Sequence, residues 1–338
     1  MRKLIYILAI IFIFAITFSN NAMSGSMPKT IKIGYLDYPS GHLLNKALGL
    51  ASEEMDMPVE WIKFGSGRDV NVAMASGSLH FGGVGNPPLS IGLSSNIKYQ
   101  VIYAIELLTS LQTLVAKPEI KSVKDLQDKV IGVPYASTTH FLLMNLLKDE
   151  GVKAEVLDMN PSDMLAAFQR GDIDAGYIWE PVLSNMIRLG GVNLLNEKQQ
   201  EDRDKKYPTW DVIVVNKEFA REFPCLVVKY LNSEVRAAKY WHTDFNKSAK
   251  AISEEINVDL DTVKKMMNGV NTPTLEEQLS PDILGTHKNK GAFVDAVFST
   301  AKFMNELGRI PKVASKEQIA EGFRPEFLEA VRLLYHIK

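Results

Sequence analysis

Short apolar segments alternate with helical patterns along most of the chain. Ile31-Lys32-Ile33-Gly34-Tyr35 predicts a strand, and apolar residues at helical spacing between His42 and Met55 predict a helix. Further strand patterns lie at 59–64, 79–84, 99–105, 113–117, 130–133, 155–157, 174–178 and 210–215. This alternation predicts an α/β fold with mainly parallel sheets, and the part after Glu218 predicts mostly helices.

The length of the chain predicts two lobes, since 338 residues exceed the usual single domain. The strand pattern suggests that the chain crosses between the lobes near Leu114 and near Trp210. We therefore predict lobe 1 at residues 30–113 and 212–338, and lobe 2 at residues 114–211. Open α/β sheets bind ligands outside the carboxyl ends of their strands, so two facing sheets would form a cleft that closes on two hinges.

The N-terminal residues predict export. Arg2 and Lys3 precede an apolar segment from Leu4 to Phe18, and a small-residue cleavage site follows, so residues 1–22 are predicted to be a signal peptide. The apolar segment is short for a membrane span, which needs about 20 residues, although a retained anchor remains the alternative. Because no Cys directly follows it, lipid attachment is not expected. The predicted location is a bacterial periplasm.

Composition narrows the function. The formal charge is −2, and without the two basic residues of the signal segment 36 basic face 40 acidic residues, a charge of −4. No basic block is interleaved with aromatic residues, so nucleic acid is not an expected partner. The single Cys225 permits no internal disulfide and is predicted to be a small core residue. No catalytic or metal-binding spacing stands out, so neither catalysis nor a cofactor is expected. The polar segment 197–206 is predicted to be a solvated excursion.

Three predicted strand-to-helix junctions could present N–H groups to one anion. They are Gly65-Ser66-Gly67-Arg68, Gly85-Asn86-Pro87-Pro88 and Ser137-Thr138-Thr139-His140. Each contains glycine or a capping residue, which permits close backbone approach. The third carries three hydroxyl residues, more than one cap requires, and the first N–H groups and dipole of a helix suit an oxyanion. A plain capped turn remains the alternative at each junction.

Five segments together resemble a known family, and the most specific are Ser137–His140 and Thr209-Trp210-Asp211-Val212. The others are Phe64–Gly67, Gly171–Ala175 and Trp179-Glu180-Pro181. They resemble the periplasmic substrate-binding proteins of aliphatic-sulfonate ABC importers, and taurine-binding members most of all, from about Ile31 to about Pro311. The resemblance implies a two-lobed type II binding-protein fold, and a monomer that delivers its ligand to a membrane permease with a cytoplasmic ATPase.

The resemblance also implies a ligand site. An ammonium group favours a carboxylate and aromatic faces, which Asp211, Trp210 and Trp179 would supply at the cleft. Hinge capping remains the alternative for Asp211, and ordinary core or wall packing remains the alternative for Trp179 and Tyr35. The implied ligand-binding residues are Tyr35, Ser66, Gly67, Gly85, Asn86, Gln112, Ser137, Thr138, Thr139, His140, Trp179, Glu180 and Asp211.

Three members of this set carry further open alternatives. Close taurine binders have a carboxylate aligned with Gln112, and the uncharged amide weakens the case for taurine relative to a sulfonate with an uncharged tail. His140 could donate to an anion if protonated, or make a structural hydrogen bond, and Glu180 could simply cap the helix that follows it. Nitrate, an aromatic sulfonate or a thiamine pyrimidine precursor are alternative ligands, and an enzyme of the same fold is a further alternative.

Overall fold

The strands form two separate sheets in the computed structural model, which describes residues 26–335. The first sheet has six strands in the order β11-β4-β10-β3-β1-β2, and the second has five in the order β7-β6-β8-β5-β9. The strands are β1 (Ile31–Leu36), β2 (Val59–Phe64), β3 (Phe81–Gly85), β4 (Tyr99–Leu108), β5 (Gln112–Ala116), β6 (Val130–Val133), β7 (Glu155–Asp158), β8 (Ala175–Trp179), β9 (Val192–Asn193), β10 (Thr209–Asn216) and β11 (Val270–Asn271). The predicted α/β architecture with two lobes is confirmed.

Helices cover the faces of both sheets, and a 3₁₀ helix lies at Val123–Leu126. The helices are α1 (Gly41–Ala47), α2 (Leu50–Met55), α3 (Gly67–Ala75), α4 (Asn86–Ser94), α5 (Thr138–Glu150), α6 (Pro161–Arg170), α7 (Val182–Arg188), α8 (Glu197–Lys206), α9 (Lys217–Glu222), α10 (Pro224–Thr243), α11 (Phe245–Ile256), α12 (Leu260–Asn268), α13 (Leu275–Gln278), α14 (Phe293–Glu306), α15 (Lys316–Glu321) and α16 (Glu326–Tyr335). Within residues 26–335, no helix combines the length and apolarity needed to span a membrane. The predicted signal peptide lies outside the described residues.

Both sheets are mixed rather than mainly parallel. Strand β1 pairs parallel with β2 and β3, and β6 pairs parallel with β7 and β8. Strand β10 is antiparallel to β3 and β4, while β5 is antiparallel to β8 and β9. The antiparallel strands β5 and β10 are the first strands after each lobe crossing, so the chain enters each sheet from the cleft and runs antiparallel to its neighbours.

The two crossings lie side by side. Strand β4 ends at Leu108 in the first sheet and β5 begins at Gln112 in the second, while β10 returns to the first sheet at Thr209. The Gln112 side-chain amide donates a 2.7 Å hydrogen bond to the Thr209 hydroxyl and so joins the two crossings. The lobe limits given above remain a prediction. Strands β5 and β10 begin a few residues before the predicted starts of lobe 2 and of the second part of lobe 1.

The polar segment Glu197–Lys206 is more than a solvated excursion, and that prediction is wrong for one face of α8. Gln200 and Arg203 are buried. The Gln200 amide donates to the carbonyl oxygens of Thr109 at 3.3 Å and Gln112 at 2.9 Å. Buried backbone carbonyls need hydrogen-bond partners, so these side chains are buried because they satisfy the first crossing.

Two local predictions also need correction. The predicted helix between His42 and Met55 is broken into α1 and α2 at Gly49, whose φ of 66° is left-handed and ends a helical turn. Cys225 is exposed rather than in the core. It occupies the outer face at the start of α10, whose neighbouring Leu226 and Val227 are buried instead.

Candidate functional site

A narrow cavity lies between the two sheets and has walls from both lobes. The first sheet and the segments that follow its strands contribute Leu36, Tyr38, Gly67, Gly85, Pro88, Leu108 and Asp211, and Leu111, Gln112, Ser137, Thr138 and Trp179 complete the lining. Seven of these residues belong to the set implied by the resemblance: Gly67, Gly85, Gln112, Ser137, Thr138, Trp179 and Asp211.

The lobes touch at this cavity. A Cβ atom on Gly85, at the end of β3, would lie 2.8 Å from the Thr138 Cγ2 atom and 3.0 Å from an Asp211 oxygen. Real Cβ contacts are not that short, so glycine is required for this approach. The described conformation is therefore a closed one, in which the first turn of α5 faces the end of β3.

The wall from the second lobe is the N-terminus of α5. Ser137 is the N-cap and accepts a 3.1 Å hydrogen bond from the His140 N–H, while its hydroxyl donates to the Pro134 carbonyl at 2.5 Å. The Thr138 hydroxyl donates to the Gln112 amide oxygen at 2.8 Å. The N–H groups of the first helical turn have no partner within a helix, and the dipole adds positive potential. This wall suits an anion.

On the opposite side of the cavity Asp211 belongs to the lining, and a second buried carboxylate, Glu106, lies beside it without itself being a lining residue. Asp211 on β10 lies directly across from Glu106 on β4, and their exposed fractions are 4% and 0%. The Tyr38 hydroxyl contacts both, at 2.8 Å from Glu106 Oε1 and in close contact with Asp211 Oδ2. A phenol has one proton to donate, so it can serve only one carboxylate at a time. The second contact needs a proton on a carboxyl group.

Both carboxyl groups hold their protons more tightly than usual. Burial raises the pKa of Asp211 to about 6, although the Tyr38 hydrogen bond and His42 oppose that rise. Burial, followed by the charge of Asp211, raises the pKa of Glu106 well above its ordinary value. The Oε2 atom of Glu106 is buried and has no side-chain hydrogen-bond partner among residues 26–335. A cation entering this wall could take the place of a proton.

The family model for the substrate-binding domain of the ABC-type glycine betaine transport system matches residues 29–255. The chain belongs to the substrate-binding proteins of ABC importers. It is 32% identical to the taurine-binding periplasmic protein of Escherichia coli K12, over 78% of this chain and 82% of that protein. It is 28% identical to a putative aliphatic sulfonates-binding protein of Bacillus subtilis 168, over 86% of this chain and 89% of that protein.

Solved structures share the fold of this substrate-binding protein. The alkanesulfonate-binding protein of Xanthomonas axonopodis pv. citri, bound to MOPS, matches 89% of this chain and 99% of its own with a TM-score of 0.71 at 18% identity. The periplasmic aliphatic sulphonate binding protein of Escherichia coli matches 86% of this chain and 97% of its own, with a TM-score of 0.68 at 19% identity. The relatives in sequence are binding proteins, so this protein is a binding protein rather than an enzyme.

Sequence reasoning missed two residues of the carboxylate wall. The strand predicted at 99–105 stopped one residue before Glu106, which lies inside β4, an otherwise mostly apolar strand. A lone acid in a buried strand was the available signal. Tyr38 follows β1 at its carboxyl end, where ligand contacts are expected in an α/β sheet.

Six residues of the implied set do not line the cavity: Tyr35, Ser66, Asn86, Thr139, His140 and Glu180. The Tyr35 ring packs edge-on against Trp61, with ring centres 6.1 Å apart. Glu180 accepts hydrogen bonds from the Ser184 N–H at 3.0 Å and hydroxyl at 2.8 Å. In this substrate-binding protein the contacts of these two residues agree with their packing and capping alternatives.

Ser66, Asn86 and Thr139 position the walls in this conformation. Ser66 caps α3 and accepts a 3.4 Å hydrogen bond from the Asp69 N–H. The Asn86 side chain accepts from the Trp210 N–H at 3.2 Å, next to Asp211 on β10. The Thr139 hydroxyl lies 2.9 Å from that of Ser137.

His140 is a structural histidine in this conformation. Its Nδ1 atom accepts a 3.3 Å hydrogen bond from the Ala136 N–H, and its ring stacks on Tyr135 with centres 4.7 Å apart. Burial, assisted by the charge of Arg309, lowers the pKa of His140 to about 4. The ring is therefore neutral near pH 7 and brings no positive charge to an anion.

Across residues 26–335, no group of three or more His, Cys, Asp and Glu side chains is arranged to hold a metal ion. The hydroxyl and amide groups that line the cavity face Asp211, and Glu106 lies buried beside Asp211. This arrangement fits a small organic ligand with an anionic end and a cationic end.

Proposed function

We propose that this protein binds taurine, or a close aliphatic sulfonate, in the cleft between its lobes. The observation that carries the proposal is the opposition of two unlike walls, the N-terminus of α5 and the Asp211–Glu106 pair. A molecule with a sulfonate at one end and an ammonium at the other complements both. The names of the two relatives described above support the same ligand class.

The sulfonate end would lie against α5. Its three oxygens carry a charge without a proton, so they accept from several donors at once. The first N–H groups of α5 and the Thr138 hydroxyl are available on that side, provided that the hydroxyl turns away from Gln112. Hydrogen bonds to a charged group are the stronger kind, so neutral donors suffice.

The ammonium end would lie between Asp211 and Glu106. An ammonium has three protons, enough to donate to both carboxylates at once. It would also satisfy the Glu106 oxygen that has no side-chain partner among the described residues. Two ionised carboxylates, otherwise unfavourable so close together in a buried wall, become favourable around a cation.

The neutral side chain at Gln112 is less of an objection to taurine than the sequence suggested. Its amide is already engaged, donating to Thr209 and accepting from Thr138. Glu106 supplies the second negative charge from the neighbouring strand. The amine therefore has a carboxylate pair without any charge at position 112.

A simple alkanesulfonate is the second candidate, and the carboxylate pair disfavours it. Such a ligand would fill the α5 side but leave the carboxylates without a cation in a closed cleft. A site built to hydrogen-bond a substrate group discriminates strongly against an analogue that lacks it. Nitrate and pyrimidine ligands also lack the two opposite ends.

The family also supports a proposal for the surrounding transport system. We infer that the protein acts in the periplasm as a monomer and delivers its ligand to a membrane permease driven by an ATPase. The periplasmic location of the taurine-binding relative supports this proposal.

Calorimetry with taurine, ethanesulfonate, nitrate, sulfate and a pyrimidine tests the ligand. Taurine should bind at least about tenfold more tightly than ethanesulfonate, because one hydrogen bond to a charged group contributes about 1.5–3 kcal/mol. The advantage should shrink in Asp211→Asn. Equal affinity for the two sulfonates in the wild type would contradict the amine site, and tight binding of nitrate alone would replace the sulfonate proposal.

A further inference from the structure

A second cavity lies at the end of the first sheet that is far from the cleft. This rear cavity is formed by segments 93–100 and 312–322 together with Lys217, at the end of α4 and the starts of β4 and α9. Strand β4 runs from Tyr99 in the rear cavity to Leu108 in the cleft cavity. At about 3.3 Å per residue, the two cavities are about 30 Å apart, so a ligand in one does not touch a ligand in the other.

The rear cavity is lined by unpaired positive charges. Lys98, Lys217 and Lys312 contribute three ammonium groups, against the single carboxylate of Glu321, so the formal charge of the lining is +2. None of the three ammonium groups has an ion-pair partner among residues 26–335. The whole chain, in contrast, has a formal charge of −2. A concave surface of one sign raises the local concentration of ions of the other sign, so this cavity should attract an anion.

Two of the lysines are held together by the backbone. The Lys217 N–H donates a 2.9 Å hydrogen bond to the Lys98 carbonyl oxygen, where α9 begins beside the start of β4. Their side chains therefore begin at neighbouring points on the edge of the rear cavity. Like charges placed this close repel each other, and an anion between them would remove that repulsion.

The rear cavity also contains a buried polar group without a partner. Gln100 lies on β4, is 6% exposed and lines the cavity. Its side-chain amide makes no hydrogen bond within the part of the chain that the structure describes. Burying an amide without a hydrogen bond is unfavourable, and most buried polar side chains have a partner. This amide therefore indicates a polar ligand, independently of the lysines.

The size and lining of the rear cavity define the class of ligand. Its volume of about 380 Å³ lies within the usual range of small-molecule sites. Leu93, Ile97 and Val313 add apolar surface, which suits a carbon skeleton. Lysine ammonium groups are point charges without the planar fork of arginine, so they select a ligand by charge more than by shape.

We propose that the rear cavity is a second binding site, which takes a small organic anion with two negative charges. The anionic groups lie between Lys98, Lys217 and Lys312, and the Gln100 amide donates a hydrogen bond to the ligand. Taurine has no net charge when its amine is protonated and is not a ligand of this site. The second site goes beyond the proposed function and does not depend on it.

Calorimetry at pH 8 and low salt tests the second site with two probes, glycerol 3-phosphate and succinate. Both carry two negative charges at this pH. The wild type should bind at least one of them, and its affinity should fall as salt is added. Lys98→Gln combined with Lys217→Gln should weaken that binding at least about tenfold, because charge-assisted hydrogen bonds are lost.

A matched control removes the same charge elsewhere. Lys239 and Lys265 are exposed, lie on α10 and α12 and do not line the rear cavity. Lys239→Gln combined with Lys265→Gln should bind the probe as the wild type does. Gln100→Leu keeps all the charges, so it should weaken the probe about three- to tenfold without changing the salt dependence. Circular dichroism checks that each variant is folded.

The outcomes distinguish the second site from the cleft. The inference is wrong if neither probe binds the wild type, if the control loses as much affinity as Lys98→Gln with Lys217→Gln, or if Gln100→Leu binds the probe as the wild type does. Probe binding in the cleft would be unaffected by the lysine changes and would also contradict the inference. So would binding to vesicles of phosphatidylglycerol without binding to either soluble probe. Taurine affinity should be the same in all these variants, and a wild type that does not bind taurine would overturn the proposed function alone.

Discussion

Glu106→Gln tests the residue that the structure adds to the site. Glu106 is fully buried, lies opposite Asp211 and accepts from the Tyr38 hydroxyl at 2.8 Å. Glutamine has almost the same shape and can still accept from Tyr38, so the packing of β4 should survive. The substitution removes the negative charge.

The expected loss follows from one charged hydrogen bond. At about 1.5–3 kcal/mol, taurine should bind roughly tenfold to a hundredfold more weakly. The loss should be greater at pH 8 than at pH 6. In the wild type the ammonium competes with a proton on the carboxyl pair, and that competition fades as the pH rises above the raised pKa values.

Calorimetry with taurine and ethanesulfonate at pH 8 is the assay. Ethanesulfonate should bind Glu106→Gln as well as the wild type or better, because it brings no cation. Glu180→Gln is the matched control, since Glu180 is also buried but is hydrogen-bonded to Ser184 and does not lie opposite Asp211. Equal losses for the two ligands in Glu106→Gln, or no loss for taurine, would refute the reasoning.

Three further predictions follow from the same geometry. Ser137→Ala combined with Thr138→Ala should weaken the binding of taurine and of ethanesulfonate alike, by about 1.5–3 kcal/mol for each lost hydrogen bond, as measured by calorimetry. Circular dichroism should show that the variant still folds. An affinity within twofold of that of the wild type would mean that the anion site lies elsewhere. The pKa of Asp211 is raised to about 6, so the free protein loses stability as the pH rises through that value. The increase in melting temperature given by saturating taurine should therefore grow between pH 5 and 7. An increase that becomes smaller over this range would contradict the ammonium site. Arg68 and Asp158 form a 2.8 Å ion pair between the lobes. Asp158→Asn should speed taurine dissociation about two- to fivefold in stopped-flow experiments, because a half-exposed ion pair contributes about 0.2–1 kcal/mol. An unchanged dissociation rate would mean that the pair does not hold the cleft closed.

The parts of the site that the sequence predicted are those with a local signal. The α5 junction was visible because a β-branched strand, a proline and three hydroxyl residues precede an apolar helical pattern, and Ser137 is indeed the N-cap. A helix N-cap depends only on residues that are neighbours in the sequence, so the order of residues along the chain is enough to predict it. Asp211 was suggested by the resemblance rather than by any such local rule.

Glu106 had a weak local signal as a lone acid in an apolar strand, but its pairing with Asp211 had none. Glu106 faces Asp211 because β4 and β10 pair in one register, and Tyr38 reaches Asp211 from 173 positions away in the chain. Register between distant strands is set by packing and is not encoded in either segment alone. The same limit applies to α8, whose polar residues looked solvated until the structure placed the carbonyls of the first crossing beside them.

The most direct test of the proposed binding mode is a crystal structure of the protein with taurine. This binding mode predicts a closed cleft with the sulfonate oxygens on the first N–H groups of α5 and the Thr138 hydroxyl. It predicts the nitrogen within hydrogen-bond distance of both Asp211 and Glu106. A taurine bound in the reverse orientation, or an amine that contacts neither carboxylate, would contradict the central claim.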